Sequence, residues 1–312
     1  MRSPTEPLCR ELQTAAGELR EGAAEELCEG GAVGSCTVAA PGNFLTSSIP
    51  ASLGGMLNLR MLNLENNRLD GMIPGNLGNL TQMSILNIAN NRLNGRIPNE
   101  LGNMTQLRSF RIQKNNIQGL LPLSFRKLTQ LQVLDVGENK LAGPIPDWIA
   151  ILSSLKVLVM RYNKFKGKLP LQIGEMPLIQ IIDLSSNLLC GEIPESYFNF
   201  SAMNSVQQKY FKFLGEDSSS YYIDNLNMII KGKEREFTYI LSSFTCIDLS
   251  HNRFRGHLPP VIGNLEGLMF LNLSMNTLSG PTPETLGNLG QLESLDLSLN
   301  FFQDKFHSRL VF

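Results

Sequence analysis

From residue 59 onward, apolar residues return in the same order every 24 residues. The first copy reads LRMLNLENNRLDGMIPGNLGNLTQ, and half a copy, NFLTSSIPASLGGM, precedes it. Further copies begin at Met83, Leu107, Leu131, Leu155, Ile179, Phe244, Leu268 and Leu292. The shared pattern is LxxLxLxxNxLxGxIPxxLGxLxx. A fixed period of this length predicts a solenoid in which each copy forms one coil.

The segment LxxLxL at the start of each copy predicts a short strand. In the first copy Leu59, Leu62 and Leu64 point inward, and stacked coils then place equivalent strands side by side in one parallel sheet. The pattern is that of the leucine-rich repeat. The predicted fold is therefore a leucine-rich-repeat solenoid of the α/β class, rich in β-structure. We expect a curved right-handed superhelix with the parallel sheet on its concave face.

Two polar slots recur after the strand. An asparagine follows it, and we expect its buried amide to bond backbone groups of its own coil and of the adjacent coil. A later glycine suits a turn with positive φ. The asparagines are Asn67, Asn91, Asn115, Asn139, Asn163, Asn187, Asn252, Asn276 and Asn300. The glycines are Gly71, Gly95, Gly119, Gly143, Gly167, Gly191, Gly256 and Gly280.

The positions between the leucines carry no packing role, so we expect them to face the concave surface, where binding specificity can reside. In the third to fifth copies these positions are mixed but mostly basic, with one aromatic residue. The candidate ligand-binding residues are Arg111, Gln113, Lys114, Glu138, Lys140, Arg161, Tyr162 and Lys164. An ordinary solvated surface has the same composition, and the sequence leaves both interpretations open.

Composition narrows the classes of function. The net charge of −1 argues against a broad electrostatic attraction to nucleic acid or acidic lipid. No two of the five cysteines have CxxC spacing, and no apolar run approaches the roughly 20 residues that span a bilayer. The three histidines are isolated, and no nucleophile is paired with a base. We expect neither an enzyme nor a cofactor-binding protein.

The 24-residue period stops after Ala202 and restarts at Phe244. Within this interruption Leu226, Met228 and Ile230 alternate with other residues, which predicts a half-buried strand. KGKE then predicts a turn and EFTYI a second strand, so a hairpin is expected, folded back on the concave side. A long segment of this kind is functional or is a tolerated insertion without a partner, and both readings stay open.

The form LxGxIPxxLGxL, as in LNGRIPNELGNMTQL, resembles the plant-type leucine-rich repeat from Asn43 to about Phe301. The interruption, followed by LNLS…LDLS, is similar to the island of plant receptor-like proteins of the Cf and EIX kind. The island motif of that family, a Tyr, eight residues and Lys-Gly, matches Tyr222, Lys231 and Gly232.

The resemblance implies a non-enzymatic ectodomain on the extracellular face of the plasma membrane. It implies a pathogen- or plant-derived peptide or protein as ligand, and co-receptor and adaptor receptor kinases as partners in defence signalling. Two alternatives remain: a soluble protein like the polygalacturonase inhibitors, and the ectodomain of a receptor kinase.

Both ends depart from the family pattern. Residues 1–42 lack a secretory signal and have helical spacing of apolar residues, so we expect either a short helix or a disordered tail. The predicted segments are 1–42, repeats at 43–202, the island at 203–243, repeats at 244–301 and a divergent tail at 302–312. The chain thus resembles an ectodomain truncated at both ends, whose membrane attachment would depend on a segment outside it.

Four Asn-x-Ser/Thr sequons predict N-glycosylation of an exported chain, at Asn79, Asn103, Asn199 and Asn272. The first three share one slot of the repeat, so the repeat itself explains the asparagine there without invoking a sugar.

Overall fold

The structure, a computed structural model, describes residues 36–204, 226–230, 233–237 and 244–303. The chain divides into two compact units. The first comprises residues 1–155 and 159–165, and the second comprises residues 156–158 and 166–312.

Within the described residues the chain forms short strands and short 3₁₀ helices in a repeating order. The strands are β1 (Cys36–Ala39), β2 (Leu59–Asn63), β3 (Ile85–Asn87), β4 (Ser109–Arg111), β5 (Gln118–Gly119), β6 (Val133–Asp135), β7 (Lys140–Gly143), β8 (Val157–Val159), β9 (Lys164–Gly167), β10 (Ile181–Asp183), β11 (Leu188–Gly191), β12 (Leu226–Ile230), β13 (Lys233–Phe237), β14 (Cys246–Asp248), β15 (Arg253–Gly256), β16 (Phe270–Asn272), β17 (Thr277–Gly280), β18 (Ser294–Asp296) and β19 (Phe301–Phe302).

The 3₁₀ helices follow the prolines of the repeat, which fix an extended backbone before each helix. An exception is the helix Ser201–Met203, which follows Phe200. They are η1 (Ala51–Gly55), η2 (Gly75–Asn79), η3 (Asn99–Asn103), η4 (Leu123–Lys127), η5 (Asp147–Ile151), η6 (Leu171–Glu175), η7 (Glu195–Phe198), η8 (Ser201–Met203), η9 (Pro260–Asn264) and η10 (Glu284–Asn288).

The leucine-rich strands form the main sheet, which is parallel in both units. Its order is β1-β2-β3-β4-β6 in the first unit and β10-β14-β16-β18 in the second. Leu62 lies opposite Leu86, and Phe110 lies opposite Leu134, all fully buried. The predicted stacking of apolar side chains in a continuous core is confirmed, and with it the leucine-rich-repeat solenoid.

The period resumes in phase after the interruption. Strand β10 pairs directly with β14, with Ile181 opposite Cys246. The segment between them therefore leaves the repeat register of the main sheet unchanged.

The recurrent asparagines act as predicted. The amide nitrogen of Asn91 donates to the carbonyl oxygens of Ile88 and Ala89 in its own coil, at 3.2 and 3.0 Å, and of Leu64 in the preceding coil, at 2.9 Å. Its side-chain oxygen accepts the backbone N–H of Leu69, at 3.0 Å. One buried side chain thus satisfies four backbone groups in two coils.

A second parallel sheet, which the sequence analysis did not predict, follows the asparagine turns from Asn115 onward. Its order is β5-β7-β9 and then β9-β11-β15-β17-β19. Six of its strands end at recurrent glycines, and the φ values of all the recurrent glycines, +72 to +93°, confirm the predicted turn. The glycines also make room for side chains of the preceding coil. A Cβ at Gly119 would come within 3.1 Å of the Cγ of Arg96.

Two boundaries differ from the prediction. Strand β1 pairs in parallel with β2, Val38 opposite Leu62, so the main sheet begins within residues 1–42, which we expected to be helical or disordered. In the island, β12 and β13 form the predicted antiparallel hairpin, but the second strand is Lys233–Phe237 and not EFTYI. The connection is shorter than KGKE, because only two residues separate the strands.

Candidate functional site

The eight candidate residues all belong to the first unit, and three of them lie in strands of two different sheets. Arg111 is the last residue of β4, while Lys140 and Lys164 are the first residues of β7 and β9 in the second sheet. The expectation that all eight face the concave side was therefore wrong for these two lysines. The physical reason is the asparagine turn, which takes the chain out of the main sheet before either lysine is reached.

Three of the candidates adopt a left-handed backbone immediately before the recurrent asparagine. The φ values are +56° at Lys114, +51° at Glu138 and +49° at Tyr162. This conformation costs a non-glycine residue roughly 1–2 kcal/mol, which the hydrogen bonds of the asparagine turn offset. The three side chains stand in one row along consecutive coils, where the main sheet ends.

Burial separates the candidates sharply. Arg111 is 0% exposed and Arg161 is 2% exposed, and Gln113 is also buried. Tyr162 is 47% exposed, whereas Lys114 and Glu138 are half-buried. The prediction of a mostly basic, solvent-facing patch is corrected here, because the two arginines at its centre are shielded from solvent.

The buried arginines lie among carboxylates. Arg161 donates to Glu138 Oε1 at 3.0 Å. Gly137 makes this possible, since its missing side chain leaves space for the stem of Arg161, whose Cγ would lie 3.3 Å from a Cβ there. Asp135, also buried, lies opposite Arg111 in the register of β4 and β6. The centre of the candidate site is thus an alternating set of charges and not a cationic patch.

This arrangement suits recognition of an extended chain. Adjacent coils repeat at about 4.8 Å, so the row of Lys114, Glu138 and Tyr162 offers a cation, an anion and an aromatic ring in sequence. Within the described ranges, no cluster of three or more His, Cys, Asp or Glu side chains is arranged to hold a metal ion. In the same ranges, none of the helices has the length and apolarity to cross a membrane.

The main sheet of the second unit contains a buried carboxylate pair that the sequence analysis missed. Asp183 lies opposite Asp248, and both are buried. Burial, and then the charge of Asp183, raise the pKa of Asp248 to about 7, although hydrogen bonds from Ser250 and Asn272 oppose the rise. Burial and both carboxylates also raise the pKa of the Cys246 thiol. The sequence does contain a sign of this pair, because two successive copies of the repeat both read IDLS.

The four sequons lie in two kinds of environment. Asn79 and Asn103 are exposed last residues of η2 and η3, and Asn199 is exposed just after η7. Asn272 lies within β16, where its amide nitrogen donates to Asp248 Oδ2 at 3.1 Å and its oxygen accepts from Ser274.

The island residues Tyr222, Lys231 and Gly232 lie outside the described residues. Lys231 and Gly232 are the two residues that connect β12 to β13 in the sequence, where Ile230 pairs with Lys233.

Comparison with known proteins identifies the repeats. Residues 45–164 match a model described as a leucine-rich repeat region, and residues 243–265 and 267–289 match the Leucine Rich Repeat model. Together these matches cover more than half of the chain.

Among curated relatives, Receptor-like protein 36 of Arabidopsis thaliana is 42% identical over 59 residues, which is 19% of this chain and 8% of that protein. The solved structure of the plant peptide hormone receptor RGFR1 in complex with RGF2 has a TM-score of 0.65 and 27% identity. The match covers 85% of this chain and 40% of that one.

The Arabidopsis receptor kinase HAESA, solved in complex with the peptide hormone IDA and the co-receptor SERK1, has a TM-score of 0.50 and 28% identity. That match covers 85% of this chain and 50% of that one. The chain therefore belongs to the leucine-rich-repeat family, and it is similar over a short segment to plant receptor-like proteins.

Proposed function

We propose that this chain is a ligand-recognition ectodomain of a plant cell-surface receptor that binds a peptide or protein in defence signalling. The observation that carries the proposal is the row of unlike side chains, Lys114, Glu138 and Tyr162, on an otherwise invariant frame. Leucine stacking and the asparagine turns fix the coils, so the side chains in this row can differ from coil to coil and thereby specify a ligand. The peptide complexes of RGFR1 and HAESA support this class of ligand.

The proposal also assigns the island a separate task. The motif of Tyr222, Lys231 and Gly232 recruits the co-receptor kinase and adaptor kinases, while the row in the first unit contacts the ligand. The receptor kinase HAESA, solved with its co-receptor, supports a partner of this kind. The proposal places the chain on the extracellular face of the plasma membrane, by its resemblance to plant receptor-like proteins.

The test is association with a co-receptor kinase in leaves. The chain is expressed with a secretion signal and a membrane helix, beside a tagged co-receptor kinase, and fractions of microbial culture filtrate are infiltrated. We expect an active fraction to increase co-immunoprecipitation. Lys114→Ala with Tyr162→Ala should abolish the increase. The matched control is Asn66→Ala with Asn90→Ala. These residues occupy the same position as Lys114 in the two preceding coils.

Equal loss in the control pair would contradict a specific site, and unchanged recruitment in the Lys114/Tyr162 pair would contradict the ligand role. Replacing Tyr222 and Lys231 by Ala should abolish recruitment while leaving secretion and folding intact. Inhibition of a fungal polygalacturonase by the soluble chain would instead favour the inhibitor alternative.

A further inference from the structure

The second sheet of the second unit presents a concentrated positive charge on a chain whose net charge is −1. Lys166, near the end of β9, and Lys168, just after it, are exposed. Arg253 and Arg255, both in β15, are exposed as well. One carboxylate is exposed between them, that of Glu192, the residue just after β11, and its Cγ would lie 2.9 Å from a Cβ at Gly256.

Strand β11 separates the two pairs of cations. It pairs with β9 on one side and with β15 on the other. Its outward side chains include Leu188, 39% exposed, and Cys190, half-buried. Because these side chains are shorter than Lys and Arg, β11 forms the floor of a trough whose walls are Lys166 and Lys168 on one side and Arg253 and Arg255 on the other. We call this feature the cationic trough.

The dimensions follow from sheet geometry. Strands neighbour one another at about 4.8 Å, so the two walls stand roughly 10 Å apart, and cations on one wall repeat at roughly 7 Å. Lys168 bends toward the floor, since its Cγ lies 3.1 Å and its Cε 3.7 Å from the place of a Gly191 Cβ. Within the described ranges none of these four cations makes an ion pair, so their mutual repulsion is relieved only by the nearby Glu192 carboxylate, by solvent and by mobile ions.

We propose that the cationic trough binds a linear acidic polysaccharide, with one carboxylate on each sugar, along β11. Charge complementarity argues for an anionic occupant, and the repeated unpaired cations argue for a polymer. Protein interfaces are centred on buried aromatic and apolar anchors, whereas the trough offers only Leu188. Single-stranded nucleic acid is held by aromatic stacking platforms, and β9, β11, β15 and β17 expose no Phe, Tyr or Trp. A polyuronate needs neither feature.

The experiment measures binding of the full chain to polygalacturonate and to its fully methyl-esterified form, which keeps the sugar chain but removes the charge. We expect binding of polygalacturonate alone, weakening at least tenfold when salt rises from about 0.05 M to about 0.5 M. Equal binding of the ester would overturn the proposal. Tighter binding of poly-glutamate or single-stranded DNA at matched charge would overturn it too, and would assign the trough to an acidic peptide or to nucleic acid.

Matched variants locate the site. Lys168→Glu with Arg253→Glu reverses two charges in the trough, and Glu retains the Cβ and Cγ that cover Gly191. Arg92→Glu with Arg96→Glu changes the equivalent positions of one coil in the first unit, before the second sheet begins, and both arginines are exposed. We expect at least a tenfold loss for the first pair and less than a twofold loss for the second. Similar losses in both pairs would mean diffuse attraction and contradict the trough.

A second measurement keeps the test valid if the charge reversal impairs folding. Polygalacturonate should slow alkylation of Cys190 by iodoacetamide in the unmodified chain, read by peptide mass spectrometry, because Cys190 lies on the floor. Cys246, which is buried, is the internal control for unfolding. Unchanged reactivity of Cys190 at saturating polygalacturonate would place the polymer elsewhere. This test does not depend on the proposed peptide receptor function. The receptor function and polysaccharide binding in the cationic trough can therefore be contradicted separately.

Discussion

At the scale of single residues, the asparagine turn is where adjacent coils are joined. The oxygen of Asn115 accepts the N–H of Leu93 at 2.9 Å, and its amide nitrogen donates to Ile88 and Ile112 at 3.1 and 3.0 Å. These backbone groups lie in a bend that no strand ladder reaches, and the carbonyl oxygen of Ile88 accepts from both Asn91 and Asn115. Removal of one asparagine therefore affects two coils at once.

Asn91→Ala should be strongly destabilising. It leaves the buried N–H of Leu69 without a partner, at a cost of about 1–3 kcal/mol, while the carbonyl oxygens of Leu64, Ile88 and Ala89 keep other donors. The measurement is the urea midpoint by far-UV circular dichroism. Asn94→Ala, at an exposed position three residues later, is the control and should change the midpoint little. Equal effects of the two substitutions would contradict the role of the turn.

The carboxylate slot of the main sheet predicts a pH dependence of stability. The pKa of Asp248 is raised by burial, and secondarily by Asp183, from 3.8 to about 7. Between these values the folded state keeps a proton that the unfolded state has released. Stability is therefore fully present below about pH 4 and falls as pH rises toward 7, by at most about 1.4 kcal/mol per pH unit.

Asp248→Asn should remove this slope and stabilise the chain above pH 7. An Asn oxygen still accepts the N–H of Ser250, as Asn272 does for Ser274 in the next coil. The measurement is Tm against pH from 4 to 8. Asp296→Asn is the control. Asp296 occupies the position of Asp248 in a later coil and accepts the N–H of Ser298, as Asp248 accepts that of Ser250, but Asp296 is exposed. An unchanged slope in Asp248→Asn would contradict the assignment.

At the scale of elements, the 3₁₀ helices stack because a glycine removes the side chain between them. A Cβ at Gly78 in η2 would overlap the carbonyl oxygen of Glu100 in η3, and one at Gly102 would lie 2.5 Å from the Cβ of Ser124. The LG dipeptide of the repeat thus sets how closely neighbouring helices approach. The sequence shows this glycine, but its reason is visible only once the next coil is in place.

Gly78→Ala should force the helices apart and cost roughly 1–3 kcal/mol, as overpacking does elsewhere. Gly55→Ala is a matched control, since Gly55 ends η1 and has no heavy atom within 4 Å of a Cβ there. Thermal unfolding of both variants gives the comparison. A loss of stability for Gly55→Ala as large as that for Gly78→Ala would mean that helix propensity, and not the contact between coils, dominates.

The helix ends also decide which sequons a glycosyltransferase can use. Asn79 and Asn103 are exposed, whereas the amide nitrogen of Asn272 is already donated to Asp248 inside a strand. In secreted material we expect glycan at Asn79 and Asn103 and none at Asn272. Mass spectrometry after glycosidase treatment in ¹⁸O water measures each site. Occupancy of Asn272 would mean that modification precedes formation of β16.

At the scale of the molecule, the periodic residues were predictable and the exceptions were not. Leu62, Asn91 and Gly119 occupy fixed slots with one physical task each, so their positions follow from the period alone. The second sheet was missed because its strands, such as KFKG in β9, have one apolar residue between cations. The burial of Arg161 was missed because it depends on the empty space at Gly137 in the preceding coil.

The direct pairing of the coils on either side of the island predicts how little the island contributes to folding. Strand β10 pairs directly with β14, and the N–H of Gly267 donates to the carbonyl oxygen of Met203 at 2.9 Å, so the coils on both sides already meet. Replacing residues 205–243 by a short Gly-Ser linker should therefore keep one cooperative unfolding transition. Each halving of the loop also lowers its closure cost by about 0.6 kcal/mol.

The same replacement should abolish co-receptor association, because the island carries Tyr222, Lys231 and Gly232. A chain with residues 205–243 in scrambled order is the control, since it keeps loop length and composition and should behave like the linker variant. Circular dichroism and co-immunoprecipitation on one preparation separate the two readouts. A linker variant that fails to fold would make the island part of the frame, and one that still recruits the kinase would place recruitment on the coils themselves.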